Sequence, residues 1–146
     1  MPYIQFRNIK VVVNASILHL SKKPKFMNWA KEVEVIEEKG LIRVLRLDWD
    51  DEPYQELKQL REAILFLHEA LHAGQNALIH CGQGKSRSGA MLVAFLMAKM
   101  GLSYDEALAV AKSKRPIIKP NQGFEDQLRK FESSQLLCNL RKELNS

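Results

Sequence analysis

The sequence predicts an α/β fold, on two observations. Short β-branched runs such as residues 9–15 (IKVVVNA) alternate along the chain with amphipathic stretches such as residues 54–73, which is the pattern of strands connected by helices. No internal repeat, low-complexity tract or linker rich in Gly and Ser divides the 146 residues, and this length suits one domain with a sizeable core. We therefore expect a single domain over residues 1–146.

Four segments have the apolar or β-branched character of strands. Residues 9–15 and 42–47 (IRVLRL) indicate buried strands, and residues 33–36 are a weaker candidate. Residues 76–80 (NALIH) form a short apolar run that leads into a glycine-containing loop. We interpret this last run as a central strand of the sheet.

One helix is expected before the run at 76–80 and one after it. The first spans residues 54–73 and ends at Gly74, because glycine readily adopts the conformation that closes a helix. The second spans residues 88–100 and ends at Gly101. The first prediction rests on apolar residues that recur at helical spacing: Leu57, Leu60, Ile64, Leu67 and Leu71.

Two more helices are predicted in the C-terminal third of the chain. Ser103 and Glu106 have the spacing of a capping box, so one helix begins there and ends before Pro116. A final amphipathic helix is expected from about residue 121 to 137. Four of its apolar side chains would face the core: Phe124, Leu128, Phe131 and Leu136.

The composition narrows the expected partners and location. With 22 Lys and Arg against 17 Asp and Glu, the formal net charge is +5, which suits anionic partners such as phosphoproteins or phospholipid head groups. The chain has no zinc-finger spacing or RNA-binding aromatic motif, so nucleic acid is not expected. It has no signal peptide pattern, no apolar run of about 20 residues and too few cysteines for a disulfide framework. We expect a cytoplasmic location, with the nucleus as an alternative.

The segment HCGQGKSR at residues 80–87 has the arrangement that binds anions. A strand, a tight loop and a helix follow one another, so backbone N–H groups and the helix dipole converge on one point. Cys81 ends the strand, Arg87 begins the helix, and residues 82–86 lie between them. The residues predicted to bind phosphate are therefore Gly82, Gln83, Gly84, Lys85, Ser86 and Arg87.

Cys81 and Arg87 form a pair that phosphate chemistry requires. The field that holds phosphate would lower the pKa of Cys81 below the free value of about 8.5 and provide a thiolate at neutral pH. The planar guanidinium of Arg87 would bind two phosphate oxygens at once. A nucleotide-binding loop is disfavoured, because that motif needs glycine where Ile79 stands.

These residues resemble a known family. The segment HCGQGKSR at 80–87 matches the signature of the protein tyrosine phosphatase superfamily, and SRS at 86–88 resembles its dual-specificity branch. The helix AMLVAFLM at 90–97 and the segment RPIIKPNQGFEDQL at 115–128 are similar to the same branch. The chain is thus identified as a small, atypical dual-specificity phosphatase.

The resemblance implies a mechanism and roles for individual residues. Cys81 would form a phosphocysteine, and Ser88 would stabilise the thiolate as it leaves in the second step. His80 would help to keep the cysteine ionised, and Asn121 would support the loop through hydrogen bonds. The family mechanism uses no cofactor and no metal ion.

The resemblance also implies a central, mostly parallel, twisted sheet flanked by helices. Family domains carry a strand pair and a helix before the segment that corresponds to residues 9–15, whereas eight residues precede Ile9 here. Either the sheet is smaller than in the family, or the N-terminus is a truncated or lineage-specific form.

The general acid of the family comes from a loop upstream of the cysteine. The segment LDWDDEP at residues 47–53 offers three candidates. Alignment of the preceding strand with that of the family favours Asp51, with Asp50 as the runner-up and Asp48 less favoured. Trp49 could pack beside the substrate, although an aromatic residue at such a position is more often part of the core.

Three functions remain open at this point. The leading hypothesis is hydrolysis of phosphotyrosine, and of phosphoserine and phosphothreonine, on phosphoproteins. A phosphoinositide or other phospholipid phosphatase with the same mechanism is the second, because Lys85 places a cation inside the loop. A catalytically weak phosphate-binding module is the third. The sequence predicts no particular oligomeric state.

Overall fold

Three parallel strands form the sheet in the part of the protein that the structure describes. A computed structural model describes residues 9–15, 37–81 and 85–145. The strands, in the spatial order β2-β1-β3, are β1 (Ile9–Asn14), β2 (Arg43–Arg46) and β3 (Asn76–His80). Val12 of β1 lies opposite Val44 of β2 on one side and Leu78 of β3 on the other. The α/β class and the parallel sheet are confirmed.

The central strand of the described sheet is β1, whereas the sequence predicts that residues 76–80 are central. Val11, Val12 and Val13 have no exposed surface, because both faces of β1 are covered. The side chains of β3 are half-buried or exposed, which fits a strand at the edge of the described sheet. The weaker strand candidate at residues 33–36 and the eight residues before Ile9 lie outside the described residues.

The first described helix, α1 (Leu60–His72), begins six residues later than predicted. The preceding segment is tied to other parts of the chain: the N–H of Leu57 donates to Oε1 of Gln127 at 2.8 Å, in place of a helical partner. Gln59 has a φ of 64°, which is left-handed backbone that a non-glycine residue does not adopt within a helix. These two features place the start of α1 at Leu60.

The end of α1 follows the prediction. Gly74 has a φ of 76°, and its N–H donates to the carbonyl oxygen of Leu71 at 3.0 Å, which closes the helix as glycine commonly does. Four of the five apolar residues predicted from helical spacing are buried. Leu71 is the exception and is exposed, because the buried face of the last turn is provided by Ala70.

The next two helices, α2 (Arg87–Met100) and α3 (Tyr104–Lys114), confirm the predicted positions. Gly101 ends α2 with a φ of 66°. At the start of α3, Oγ of Ser103 accepts the N–H of Glu106 at 3.1 Å, and the Glu106 carboxylate accepts the N–H of Ser103 at 3.0 Å. Both hydrogen bonds of the predicted capping box are therefore present.

The predicted final helix is instead two helices, α4 (Gln122–Glu132) and α5 (Gln135–Leu144). The chain breaks at Ser134, whose Oγ accepts the N–H of Leu137 at 3.1 Å and caps α5. The break changes which face of the chain is inward, so Leu137 and Leu140 are buried while Leu136 is 39% exposed. The prediction that Leu136 faces the core is wrong, because it assumes one uninterrupted helix.

The centre of the core is α2. This helix contacts the four other described helices and β3, and nine of its residues are buried. Gly89 in its first turn permits close packing, since a Cβ there would lie 2.9 Å from Cγ2 of Ile118. Burial on nearly all sides fixes the N-terminus of α2 relative to β3. In the part of the chain that the structure describes, no helix is sufficiently long and apolar to span a bilayer.

Candidate active site

Cys81 follows β3 directly and contacts the first turn of α2. Its side chain is buried, and its Sγ lies 3.2 Å from Oγ of Ser88. The first N–H groups of a helix are unpaired and the positive end of its dipole lies there, so this position favours a negatively charged sulfur. The predicted phosphate-binding residues Gly82, Gln83 and Gly84 lie outside the described residues.

Arg87 begins α2 and reaches the loop that follows β2. Its Nη1 donates to the carbonyl oxygen of Trp49 at 3.3 Å. Its Nε is buried and has no hydrogen-bond partner among the described residues. A buried donor without an acceptor is unfavourable, so an oxyanion bound at Nε would satisfy it. The contact with Trp49 holds the guanidinium in place while this donor stays available.

Asp51 belongs to the segment between β2 and α1, residues 47–59, which we call the aspartate loop. It lies near Ser86, the last residue of the predicted phosphate loop at residues 82–86. Its Oδ1 accepts a hydrogen bond from Nδ2 of Asn121 at 3.2 Å. Together with Ser86, the residue before Arg87, it lines an open groove of about 590 Å³. The side chain is exposed and can therefore exchange protons with a bound molecule or with water.

The two other aspartates have different surroundings. Oδ2 of Asp50 accepts the hydroxyl of Tyr54 at 3.2 Å, and the N–H of Asp50 donates to Oε1 of Gln55 at 3.0 Å. Asp48 lies at a turn in the backbone with a φ of 53°. Neither lines the groove next to Ser86. Trp49, between them, has no exposed surface and is a core residue.

Asn121 connects three parts of the site. Its N–H donates to Oγ of Ser86 at 2.9 Å, its Oδ1 accepts the N–H of Phe124 at 2.9 Å, and its Nδ2 contacts Asp51. The neighbouring Lys119 adds a backbone hydrogen bond from its N–H to the carbonyl oxygen of Lys85 at 2.9 Å. The segment before α4 thus anchors the end of the phosphate loop and the aspartate loop together.

His80 precedes Cys81 and is uncharged at neutral pH. Burial, together with the positive charge of Arg87, lowers the pKa of His80 to about 4. A neutral imidazole adds no positive charge next to Cys81, so the predicted support of an ionised cysteine would have to come from dipoles and hydrogen bonds. The carbonyl oxygen of His80 accepts the N–H of Ala15 at 2.9 Å, which continues the pairing of β3 with β1.

Gln127 and Gly123 hold the aspartate loop. Both lie in the segment at 115–128 that resembles the family, but the sequence predicts no role for either. Gln127 in α4 accepts the N–H of Leu57 through Oε1 and donates through Nε2 to the carbonyl oxygen of Gln55, both at 2.8 Å. Gly123 approaches the backbone of Pro53 so closely that a Cβ would overlap its carbonyl oxygen. The signal in the sequence is a glycine near the start of an amphipathic helix, but its partner is evident only in the fold.

A family model for the catalytic domain of dual specificity phosphatases matches residues 3–134. This match covers most of the chain and contains every site residue described above. The chain belongs to the dual specificity phosphatase family.

Known members of the family are similar in sequence and in structure. Dual specificity protein phosphatase 22-B of Danio rerio is 41% identical over 87 residues, which cover 59% of this chain and 48% of that protein. The crystal structure of human DUSP28 is 30% identical with a TM-score of 0.71, covering 89% of this chain and 78% of that one. A mouse putative dual specificity phosphatase complexed with zinc tungstate is 28% identical with a TM-score of 0.75, covering 94% and 78%. The matching segments span from 18% to 52% of the length of such curated relatives.

We predict that Gly123→Ala displaces the aspartate loop, because the new methyl group cannot occupy the same space as the carbonyl oxygen of Pro53. The expected loss in free energy of unfolding is about 1–3 kcal/mol, as for other overpacked sites. Trp29 and Trp49 are the two tryptophans of the sequence, so in a Trp29→Phe background the tryptophan emission reports Trp49 alone. That emission should shift to longer wavelength as the aspartate loop opens. The control is Gly101→Ala, which strains a left-handed residue with no atom within 4 Å of the new Cβ and costs about 1–2 kcal/mol. An unchanged Trp49 spectrum in Gly123→Ala would contradict the prediction.

We predict that His80 makes the protein less stable in acid. Its pKa is about 4 in the folded protein and 6.5 in the unfolded chain, so between these values only the unfolded chain binds the proton. The free energy of unfolding therefore falls as pH falls from 6.5 to 4, by on the order of 3 kcal/mol from this residue. Urea unfolding at several pH values should show a shallower pH dependence for His80→Gln than for wild type. Parallel curves would show that the imidazole does not titrate in this way.

Proposed function

We propose that this protein hydrolyses phosphate monoesters on phosphoproteins through a phosphocysteine on Cys81. The observation that carries the proposal is the position of this thiol, buried at the end of β3 and 3.2 Å from Oγ of Ser88 at the start of α2. A thiolate at the N-terminus of a helix has a lowered pKa and is a strong nucleophile. The same N-terminus attracts the phosphate that the thiolate attacks.

The first step transfers the phosphoryl group to the protein. The Cys81 thiolate attacks phosphorus, a P–S bond forms, and the P–O bond to the substrate side chain breaks. The guanidinium of Arg87 binds the phosphate oxygens. One of its donors is Nε, which has no hydrogen-bond partner among the described residues. Asp51 gives its proton to the leaving oxygen, which departs as an alcohol or phenol.

The second step releases inorganic phosphate. A water molecule attacks the phosphorus of the phosphocysteine, the Asp51 carboxylate accepts a proton from this water, and the P–S bond breaks. Cys81 leaves as a thiolate, which the Ser88 hydroxyl stabilises by donating a hydrogen bond across the 3.2 Å contact. The protein returns to its initial protonation state once Asp51 carries the proton again.

Asp51 is the better candidate for the acid because of what surrounds it. Its carboxylate lines the groove beside Ser86, and Asn121 orients it from the same segment that anchors the phosphate loop. The carboxylate of Asp50 is engaged with the hydroxyl of Tyr54. A positioned acid contributes about 10²- to 10⁴-fold to rate, so the orientation of the carboxylate matters.

The relatives support the substrate class. Those reported above are named dual specificity phosphatases, which favours phosphotyrosine together with phosphoserine and phosphothreonine as substrates here. The mouse protein was crystallised with tungstate, a tetrahedral oxyanion similar in shape to phosphate. A thiolate mechanism also requires that Cys81 stays reduced, which favours the cytoplasm or the nucleus.

We predict that Cys81→Ser and Arg87→Ala each lower the hydrolysis of a small aryl phosphate by at least about a hundredfold, because each removes a group that acts on phosphorus directly. The measurement is steady-state release of the phenol, with circular dichroism to verify folding. A chelator should leave the wild-type rate unchanged, because each proposed step uses a side chain of this protein. Folded wild type that binds phosphopeptide without turnover would instead indicate a phosphate-binding module.

We predict that Asp51→Asn lowers kcat about a hundredfold for an ester with a poor leaving group and much less for one with a good leaving group, since a good leaving group does not need protonation. Asp50→Asn is the matched control, one residue away in the same loop. A greater loss in Asp50→Asn than in Asp51→Asn would move the assignment to Asp50.

A further inference from the structure

A run of exposed residues follows α3 and leads back towards the site. Residues 112–117 (KSKRPI) are all exposed, and we call the segment from residue 112 to residue 119 the basic turn. The N–H of Ile118 donates to the carbonyl oxygen of Arg115 at 3.1 Å, so residues 115–118 form a β-turn. Pro116 occupies the second position, where the fixed φ of proline favours this geometry. The shape of the basic turn is therefore set before any partner binds.

The charge of the basic turn is entirely positive. The stretch from residue 107 to residue 124 contains no Asp or Glu. It contains four cationic side chains: Lys112, Lys114, Arg115 and Lys119. No ion pair in the described part of the chain involves the three lysines, whereas Arg129 in α4 pairs with Asp105 at 2.9 Å. The basic turn thus presents lysine charge that no ion pair neutralises.

An aliphatic side chain lies at the apex of the basic turn. Ile117 is 51% exposed, whereas the next residue, Ile118, is 3% exposed and belongs to the core. Val110 in α3 is 36% exposed and lies one helical turn before Lys114, so the two side chains share a helix face. Apolar and basic side chains are therefore interleaved on this part of the surface.

The basic turn is fixed relative to the phosphate loop. Ile118 packs on the first turn of α2, where a Cβ at Gly89 would lie 2.9 Å from its Cγ2. The N–H of Lys119 donates to the carbonyl oxygen of Lys85 at 2.9 Å. A partner that binds the basic turn is consequently held close to the loop that follows Cys81.

We propose that the basic turn docks this protein on the surface of an anionic bilayer. Lysine and arginine side chains are attracted to a negatively charged leaflet. An aliphatic side chain such as Ile117, exposed on a turn, can enter the boundary between head groups and acyl chains. A nucleic acid would bind the cations but would leave Ile117 without an apolar partner, so the combination of side chains favours a bilayer.

Docking in this way would bring the phosphate loop to the membrane surface. The backbone contact between Lys119 and Lys85 sets how near the loop lies. Phosphorylated proteins held at the same bilayer would then be the accessible substrates. Only this consequence rests on the proposed function, because binding of the basic turn to a bilayer involves no hydrolysis.

The test is sedimentation of the full chain with vesicles of phosphatidylcholine, with or without phosphatidylserine. Neither lipid is a phosphate monoester, so binding is measured without turnover. We expect the partition coefficient to be at least about tenfold higher with phosphatidylserine, and to fall as NaCl rises. Lys114→Gln should lower it about fivefold. Ile117→Ser should also lower it, whereas Ile117→Trp should raise it, because tryptophan favours the membrane interface.

The matched controls are Lys142→Gln and Leu136→Ser, which remove an exposed cation and an exposed apolar side chain from α5. Both should keep the wild-type partition coefficient. If phosphatidylserine does not increase binding, the docking proposal is wrong, and hydrolysis of a small aryl phosphate, measured in parallel, decides the proposed function separately. If Lys114→Gln weakens binding but both Ile117 variants bind like wild type, the turn is a general anion-binding surface and the bilayer proposal is overturned.

Discussion

The hydrogen bonds of Asn121 hold together segments that the sequence places far apart. Through one residue, the end of the phosphate loop at Ser86, the aspartate loop at Asp51 and the first turn of α4 at Phe124 share a common anchor. Each of these contacts is modest in energy, about 0.5–1.5 kcal/mol. Their importance is geometric, because the proposed nucleophile and the proposed acid come from different segments and would act together only when their separation is fixed.

The site has two kinds of support, and they come from different physical sources. On one side, α2 is buried among four helices and a strand, so its N-terminus is fixed by apolar packing. On the other side, the aspartate loop is held by directional contacts to α4, through Gln127 and through the close approach of Gly123 to Pro53. Packing fixes the helix terminus that we propose binds phosphate, and hydrogen bonds orient Asp51, the proposed acid.

Much of this arrangement can be predicted from the sequence, and the exceptions have physical reasons. The capping box at Ser103 and the stops at Gly74 and Gly101 depend on local chemistry, which a sequence contains directly. The start of α1 and the break at Ser134 depend on long-range contacts, such as that between Leu57 and Gln127, and the helical pattern continues through both points. The position of β1 between β2 and β3 is likewise a tertiary property. For the site, the motif at 80–87 predicts Cys81 and Arg87 directly. The choice between Asp50 and Asp51 as the proposed acid depends instead on which carboxylate approaches Asn121, and this is a tertiary contact.

The pairing of β1 with β3 has a consequence for how the chain folds. These parallel strands are distant in sequence, so a long segment must be closed into a loop before their contacts contribute any stability, and such topologies fold slowly. The helices after β3 are mostly neighbours of one another and can pack earlier. Because His80 pairs with Asn14 at the end of this ladder, Cys81 reaches its place only when the slow step is complete. A partly folded chain would therefore expose a cysteine with ordinary reactivity.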